Sequence, residues 1–193
     1  MKTLNTYINE WKANTSTVSS IKKTQYFVYN LYKRGNIKFF DEHWPQLDDY
    51  INKVYINGEN INVYDNGWSV KGYDKGTYEV YIKDIDNVTT CEYMFYNCTE
   101  LISVPLFDTS KVKYMNSMFE ECNNLEEVPK FDTSNVENME YMFVDCNYLK
   151  IVPLFNINNC NNMNEMFLDC YELSEETKNM WSKVYNFDTH KRI

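Results

Sequence analysis

The pair Met-Phe recurs four times at a constant step of 24 residues: Met94-Phe95, Met118-Phe119, Met142-Phe143 and Met166-Phe167. In phase with it run Cys98, Cys122, Cys146 and Cys170, then Leu101, Leu125, Leu149 and Leu173. Val104, Val128 and Val152 keep the same step, as do Pro105, Pro129 and Pro153, and Phe107, Phe131 and Phe155. No landmark slips by a residue. A fixed period between about 20 and 50 residues marks chains in which each repeat is one unit that stacks on the next. The period predicts four 24-residue coils wound into a solenoid, and a protein that presents a surface rather than a pocket closed around a reaction.

Within one repeat, Leu101 to Asn124, the spacing of Leu101, Val104 and Phe107 predicts a short strand and turn, like the L-x-x-L opening of a leucine-rich repeat. Pro105 removes a backbone donor and keeps that strand short. Asp108-Thr109-Ser110 offers helix-capping oxygens. Val112, Met115, Phe119 and Cys122 then fall at i, i+3, i+7 and i+10, one face of a helix, although Val112 to Met115 reads equally well as a second extended segment. Asn123-Asn124 supplies the turn into Leu125.

Glycine divides the chain. All five (Gly35, Gly58, Gly67, Gly72, Gly76) precede residue 77, whereas three of the four prolines mark the repeat. The boundary therefore falls near Lys83. Before it, Val54–Ile56, Asn60–Tyr64, Trp68–Val70 and Thr77–Ile82 read as strands. They are separated by the hairpin turn signals Asn57-Gly58, Asn66-Gly67 and Asp74-Lys75-Gly76. Ser20 to Arg34 reads as a tyrosine-rich helix closed by Gly35, and Leu4, Tyr7, Ile8 and Trp11 place an amphipathic helix at the start. After the repeats, Ser174 can cap a helix over about Glu175 to Tyr185. The expected architecture is α/β: a leucine-rich-repeat-like solenoid over 84–173, a helix or leader over 1–19, an α+β cap with a β-hairpin meander over 20–83, and a capping helix and tail over 174–193.

The formal charge of −9 and pI near 4.8 repel phosphate backbones and anionic lipid, which argues against nucleic-acid partners. No apolar run approaches a membrane span, and the first ten residues lack the apolar stretch of a secretory signal. These features predict no membrane insertion and, by default, a cytoplasmic location.

The string from Phe131-Asp132-Thr133-Ser134-Asn135-Val136 through Met142-Phe143-Val144-Asp145-Cys146 resembles the BspA-type leucine-rich repeat, which reads close to F-D-T-S-N-V-x-N-M-x-x-M-F-x-x-C-x-x-L. The resemblance covers residues 84 to 173. It implies a right-handed solenoid, a role in adhesion or protein–protein contact, and no catalytic residues. Separately, Met1-Lys2-Thr3 followed by Ile8-Asn9-Glu10 is similar to the capsid-targeting leaders of T-even phage internal head proteins. That similarity implies cleavage between Glu10 and Trp11 and a virion-associated protein, internal or decorating. Leu4, Ile8 and Trp11 read alternatively as an amphipathic helix docked on the cap.

Six cysteines raise the question of metal or disulfide. Cys98, Cys122, Cys146 and Cys170 form one column, Cys91 shares the column of Met115, and Cys160 that of Val112. All six sit where the pattern puts core residues, without a C-x-x-C pair or a nearby histidine, so buried free thiols and no metal are expected. Glu121, Asp145 and Asp169 share the column just before the cysteines, a solvated acidic edge whose carboxylates stand close enough to attract a hard cation. Asp108, Asp132 and Asn156, with Asp84 ahead of them, read as turn and cap residues. His43 and His190 lack any accompanying nucleophile motif. The chain reads as a non-enzyme without a cofactor. Its expected binding surface is the strand side of the coils: Ile102, Ser103 and Leu106; Glu126, Glu127 and Lys130; Lys150, Ile151 and Leu154. There, Ile102, Ile151 and Leu154 beside charges read as an apolar patch with a polar rim, suited to a protein or glycan ligand, or alternatively as residues some of which pack under the N-terminal segment.

Overall fold

A computed structural model describes residues 26–31, 35–56, 59–61 and 69–192. The N-terminal helix or leader expected over 1–19 lies outside them. Strand β1, Phe27–Leu31, alternates buried and half-buried residues, so Phe27, Tyr29 and Leu31 all enter the core. That period of two is what overrides the expected helix over Ser20–Arg34 wherever the segment is described. Gly35, expected to close that helix, instead opens a strand, β2, Gly35–Lys38.

The remaining elements follow in order: helix α1, Leu47–Tyr50; β3, Val54–Ile56; β4, Glu59–Asn60; β5, Ser69–Tyr73; β6, Gly76–Ile82; and β7, Leu101–Ser103. Helix α2 spans Glu175–Trp181, and the short strands β8, Tyr185–Asn186, and β9, Lys191–Arg192, pair with each other. An antiparallel sheet runs in the order β4-β3-β6-β1-β7. The expected hairpin meander is not its topology. β5 leaves β6 and pairs with β2, while β1 inserts between β6 and β7.

The α/β leucine-rich-repeat-like solenoid is not the architecture found either. The described chain is mainly small antiparallel sheet with two short helices; Val112 to Met115 holds a parallel bridge at Tyr114, in keeping with the extended alternative, and 116–121 forms turns where a helix was expected. The reason lies in two positions of each repeat. Tyr93, Ser117, Tyr141 and Glu165, and likewise Asn97, Glu121, Asp145 and Asp169, have φ between 53° and 61°. A left-handed residue cannot continue a right-handed helix. The backbone donors that a helix would direct four residues back instead reach the next repeat. Ser117, Phe119 and Glu121 donate to the carbonyls of Glu140, Met142 and Val144 at 2.9, 3.0 and 2.8 Å. Tyr141, Phe143 and Asp145 donate in the same way to Asn164, Met166 and Leu168 at 3.0, 3.0 and 3.1 Å. The 24-residue period is thus written in hydrogen bonds between repeats.

Two lines of isolated parallel bridges keep the same register: Ser103 to Glu127 to Ile151, and Tyr114 to Asn138 to Asn162. The first begins on β7, the edge of the five-stranded sheet. Between the lines the core is built by identical side chains. Phe95, Phe119, Phe143 and Phe167 stack with centroids 5.6, 5.6 and 5.7 Å apart and rings within 7° of parallel, inside the range of favourable aromatic pairs. Phe27 and Phe40 pack on Phe95 at one end. At the other, Trp181 meets Phe167 and Phe155 edge-on, and its indole N–H donates to the Val152 carbonyl at 3.1 Å. Ser174 Oγ accepts from the Thr177 amide at 3.2 Å and so starts α2, which stops at Trp181 because Tyr185 turns into β8.

Candidate functional site

The nine residues expected on the strand side fall into three rows. In the first, the Glu126 amide donates to the Ile102 carbonyl (3.1 Å) and the Lys150 amide to the Glu126 carbonyl (2.9 Å). Lys150 Nζ also lies 3.8 Å from Glu126 Oε2. Ser103, Glu127 and Ile151 form the second row by parallel bridges. Leu106, Lys130 and Leu154 hold equivalent positions in the third. Of the two readings of the apolar residues, packing applies to Ile102 and Leu154 and exposure to Ile151. Ile102 is half-buried, held in the strand that pairs with β1, and Leu154 is half-buried against the core. The apolar groups open to solvent are Ile151, 50% exposed, and Leu106, 55% exposed. Glu126, Glu127, Lys130 and Lys150 are exposed around them. Glu10 and Trp11 lie outside the described residues.

The acidic column is a coupled row. Burial, then the neighbouring Asp169 and Glu121 carboxylates, raise the Asp145 pKa above the ordinary carboxylate value. Tyrosine hydroxyls donate to its outer members: Tyr96 to Glu121 Oε1 at 3.1 Å, and Tyr171 to Asp169 Oδ1 at 2.7 Å. Among the described residues, no group of three or more His, Cys, Asp or Glu is placed to hold a metal ion.

All six cysteines are free and buried. Burial is the leading cause that raises every one of their pKa values, that of Cys170 to about 12, so the thiols stay protonated and are poor nucleophiles. Composition suggested small apolar filler, but the thiols also donate. Cys122, Cys146 and Cys170 Sγ lie 3.0, 2.9 and 2.9 Å from the carbonyls of Phe95, Phe119 and Phe143 in the preceding repeat.

The D-T-S signature serves the turns expected of it but caps no helix. Asp108 Oδ1 accepts from the Ser110 amide (2.9 Å), Asp132 Oδ1 from Ser134 (3.0 Å) and Asn156 Oδ1 from Asn158 (3.1 Å), closing turns without a following helix. The buried Thr109 and Thr133 hydroxyls donate to the Asp132 and Asn156 carbonyls of the next repeat at 2.8 and 2.9 Å. Asp84 departs from this pattern: it is left-handed and makes no side-chain cap bond to the 3-10 turn Ile85–Asn87 that follows.

One polar cluster was not legible, because it lies outside the periodic segment. Buried Asp41 accepts from Lys38 Nζ at 2.5 Å and from the His43 backbone at 2.9 Å, and its carboxylate also bonds the His43 ring at 2.6 Å. Burial raises the Asp41 pKa, but these bonds more than offset it and leave the carboxyl below its ordinary value. Lys38 also donates to the Tyr96 carbonyl at 2.8 Å, and the Asp41 amide to Met94 at 3.1 Å. The cluster fastens the segment after β2 to the first repeat.

No helix among the described residues is long and apolar enough to cross a membrane. The fold and its rows define a repeat-bearing protein of small sheets and turns, with its side chains displayed in parallel lines. A family model described as "Mycoplasma protein of unknown function, DUF285" matches residues 70–181, more than half of the 193, and the chain belongs to that family. No curated protein and no solved structure matches it.

Proposed function

We propose that this chain is a non-catalytic interaction module that binds a protein partner along the row of Ser103, Glu127 and Ile151. The observation that carries this reading is the exposure of Ile151, on a row fixed by backbone bridges, and of Leu106, with Glu126, Glu127, Lys130 and Lys150 exposed on the same rows. Apolar groups ringed by charges of both signs suit a partner that offers apolar side chains and a mixed polar rim. The rows of Ile102 and of Ser103 are held by the backbone, so little ordering entropy opposes binding there. The resemblance to BspA-type repeats supports the same reading.

The test places a photo-crosslinking amino acid at Ile151, at Leu106 and, as a control, at Tyr171 in the full chain expressed in its native cell. A discrete adduct from Ile151 and Leu106, absent from Tyr171 and lost on Glu127→Arg, is expected. No adduct from Ile151 and Leu106, or equal adducts from all three positions, contradicts the reading.

A further inference from the structure

A second set of rows, made of residues distinct from those of the proposed protein-binding face, forms a polar groove of about 450 Å³ lined by Lys113, Asn135, Glu137, Asn158, Asn159 and Asn161. We infer that this groove binds a neutral oligosaccharide. Its walls come from three successive repeats. Glu137 donates its amide to the Lys113 carbonyl and Asn161 to the Glu137 carbonyl, both at 2.8 Å, so Lys113, Glu137 and Asn161 stand in line. At strand-like spacing of about 4.8 Å, three rows span about 10 Å, enough for a short oligosaccharide.

The chemistry of the lining selects the ligand. Four of the six groups are carboxamides, and the two charges cancel in a Lys113–Glu137 pair at 3.0 Å. The groove therefore offers a phosphate or sulfate no net counter-charge, and no lining residue is apolar. A carboxamide donates and accepts at once, as does each hydroxyl of a sugar, so the two surfaces match bond for bond.

The amides are also held in place. Asn135 Nδ2 donates to the Ser110 carbonyl at 2.7 Å and Asn159 Nδ2 to the Ser134 carbonyl at 2.6 Å. Because each partner is a carbonyl, the bonded atom is the nitrogen. The amide orientation is fixed, and Oδ1 and the second N–H are left for a ligand. Groups ordered beforehand lose little freedom on binding.

The experiment titrates the full chain, labelled with ¹⁵N, with gluco-, galacto-, manno- and N-acetylglucosamine tetrasaccharides, and with a sulfated tetrasaccharide as the anionic probe. At least one neutral sugar is expected to shift the side-chain amide signals of Asn135 and Asn159 saturably. Asn161→Ala, whose side chain makes no hydrogen bond among the described residues, should weaken that sugar at least tenfold with the backbone spectrum retained. Ile151→Asp, at a residue that does not line the groove, should leave it unchanged. The inference is overturned if no neutral sugar moves these signals at millimolar concentration, if only the sulfated sugar does, or if Asn161→Ala binds as tightly as the parent. Sugar binding and cross-linking at Ile151 can each fail without the other.

Discussion

At the residue scale, the repeated cysteine is a donor inside the core. Cys146 fills a position with no solvent exposure and bonds the Phe119 carbonyl across repeats. Cys146→Ala should cost about 1–3 kcal/mol, through a small cavity and a lost weak bond. Thermal or urea unfolding measures it. The buried thiols also set an alkaline limit. Unfolded thiols ionise near about 8.5, whereas burial holds them protonated well above that in the folded state. Above that pH the folded state binds more protons than the unfolded one, so stability falls as pH rises, by up to about 1.4 kcal/mol per pH unit for each such thiol. Unfolding midpoints between pH 8 and 10 should drop steeply; a flat profile would contradict the burial of these groups. A thiol reagent at neutral pH should find few groups before unfolding and six after. Asp145 has the same sign in an acidic window. Its raised pKa means a penalty that is present at neutral pH and disappears as pH falls below about 4, the unfolded value. Asp145→Asn should therefore raise the melting temperature at pH 7 and change it little at pH 3.

At the scale of elements, the question is why Val112, Met115, Phe119 and Cys122 looked helical. All four are buried, so the apolar columns were legible, and so was their common step. Periodicity alone does not separate a helix from consecutive turns that send the same residues inward. The discriminating signal is the left-handed backbone at Ser117 and Glu121, residue types that carry no glycine mark in the sequence. The same blindness affected β1, where tyrosines suggested a helix although Phe27, Tyr29 and Leu31 alternate. It also affected the pairing of β5, which depends on β2 far away in the chain. Of the proposed surface, the rows were legible from the 24-residue step. The burial of Ile102 and Leu154 was not, because it depends on β1 and on core packing. The turns themselves can be tested. In a helix interior, Tyr141→Gly would lose about 1 kcal/mol relative to a good helix former. At a left-handed position with φ 58°, glycine removes strain and should leave stability equal or higher, whereas Tyr141→Val should lower it by about 1–2 kcal/mol.

Across the whole molecule, one ladder of side chains runs from the N-terminal sheet to α2. Phe143 lies between Phe119 and Phe167 with no exposure, and Phe143→Ala should cost about 3–5 kcal/mol. Because Phe27 and Trp181 pack on the two ends of the same stack, sheet, repeats and α2 should unfold in one transition. The central claim is that neighbouring repeats are joined through backbone hydrogen bonds rather than closed into helices of their own. Scalar couplings across hydrogen bonds report this directly, by NMR on labelled protein. The structure predicts couplings from the Phe119 amide to the Met142 carbonyl and from the Phe143 amide to the Met166 carbonyl, both 3.0 Å bonds. Couplings from Phe119 to Met115 and from Phe143 to Met139, with helical chemical shifts through residues 112–122, would contradict it.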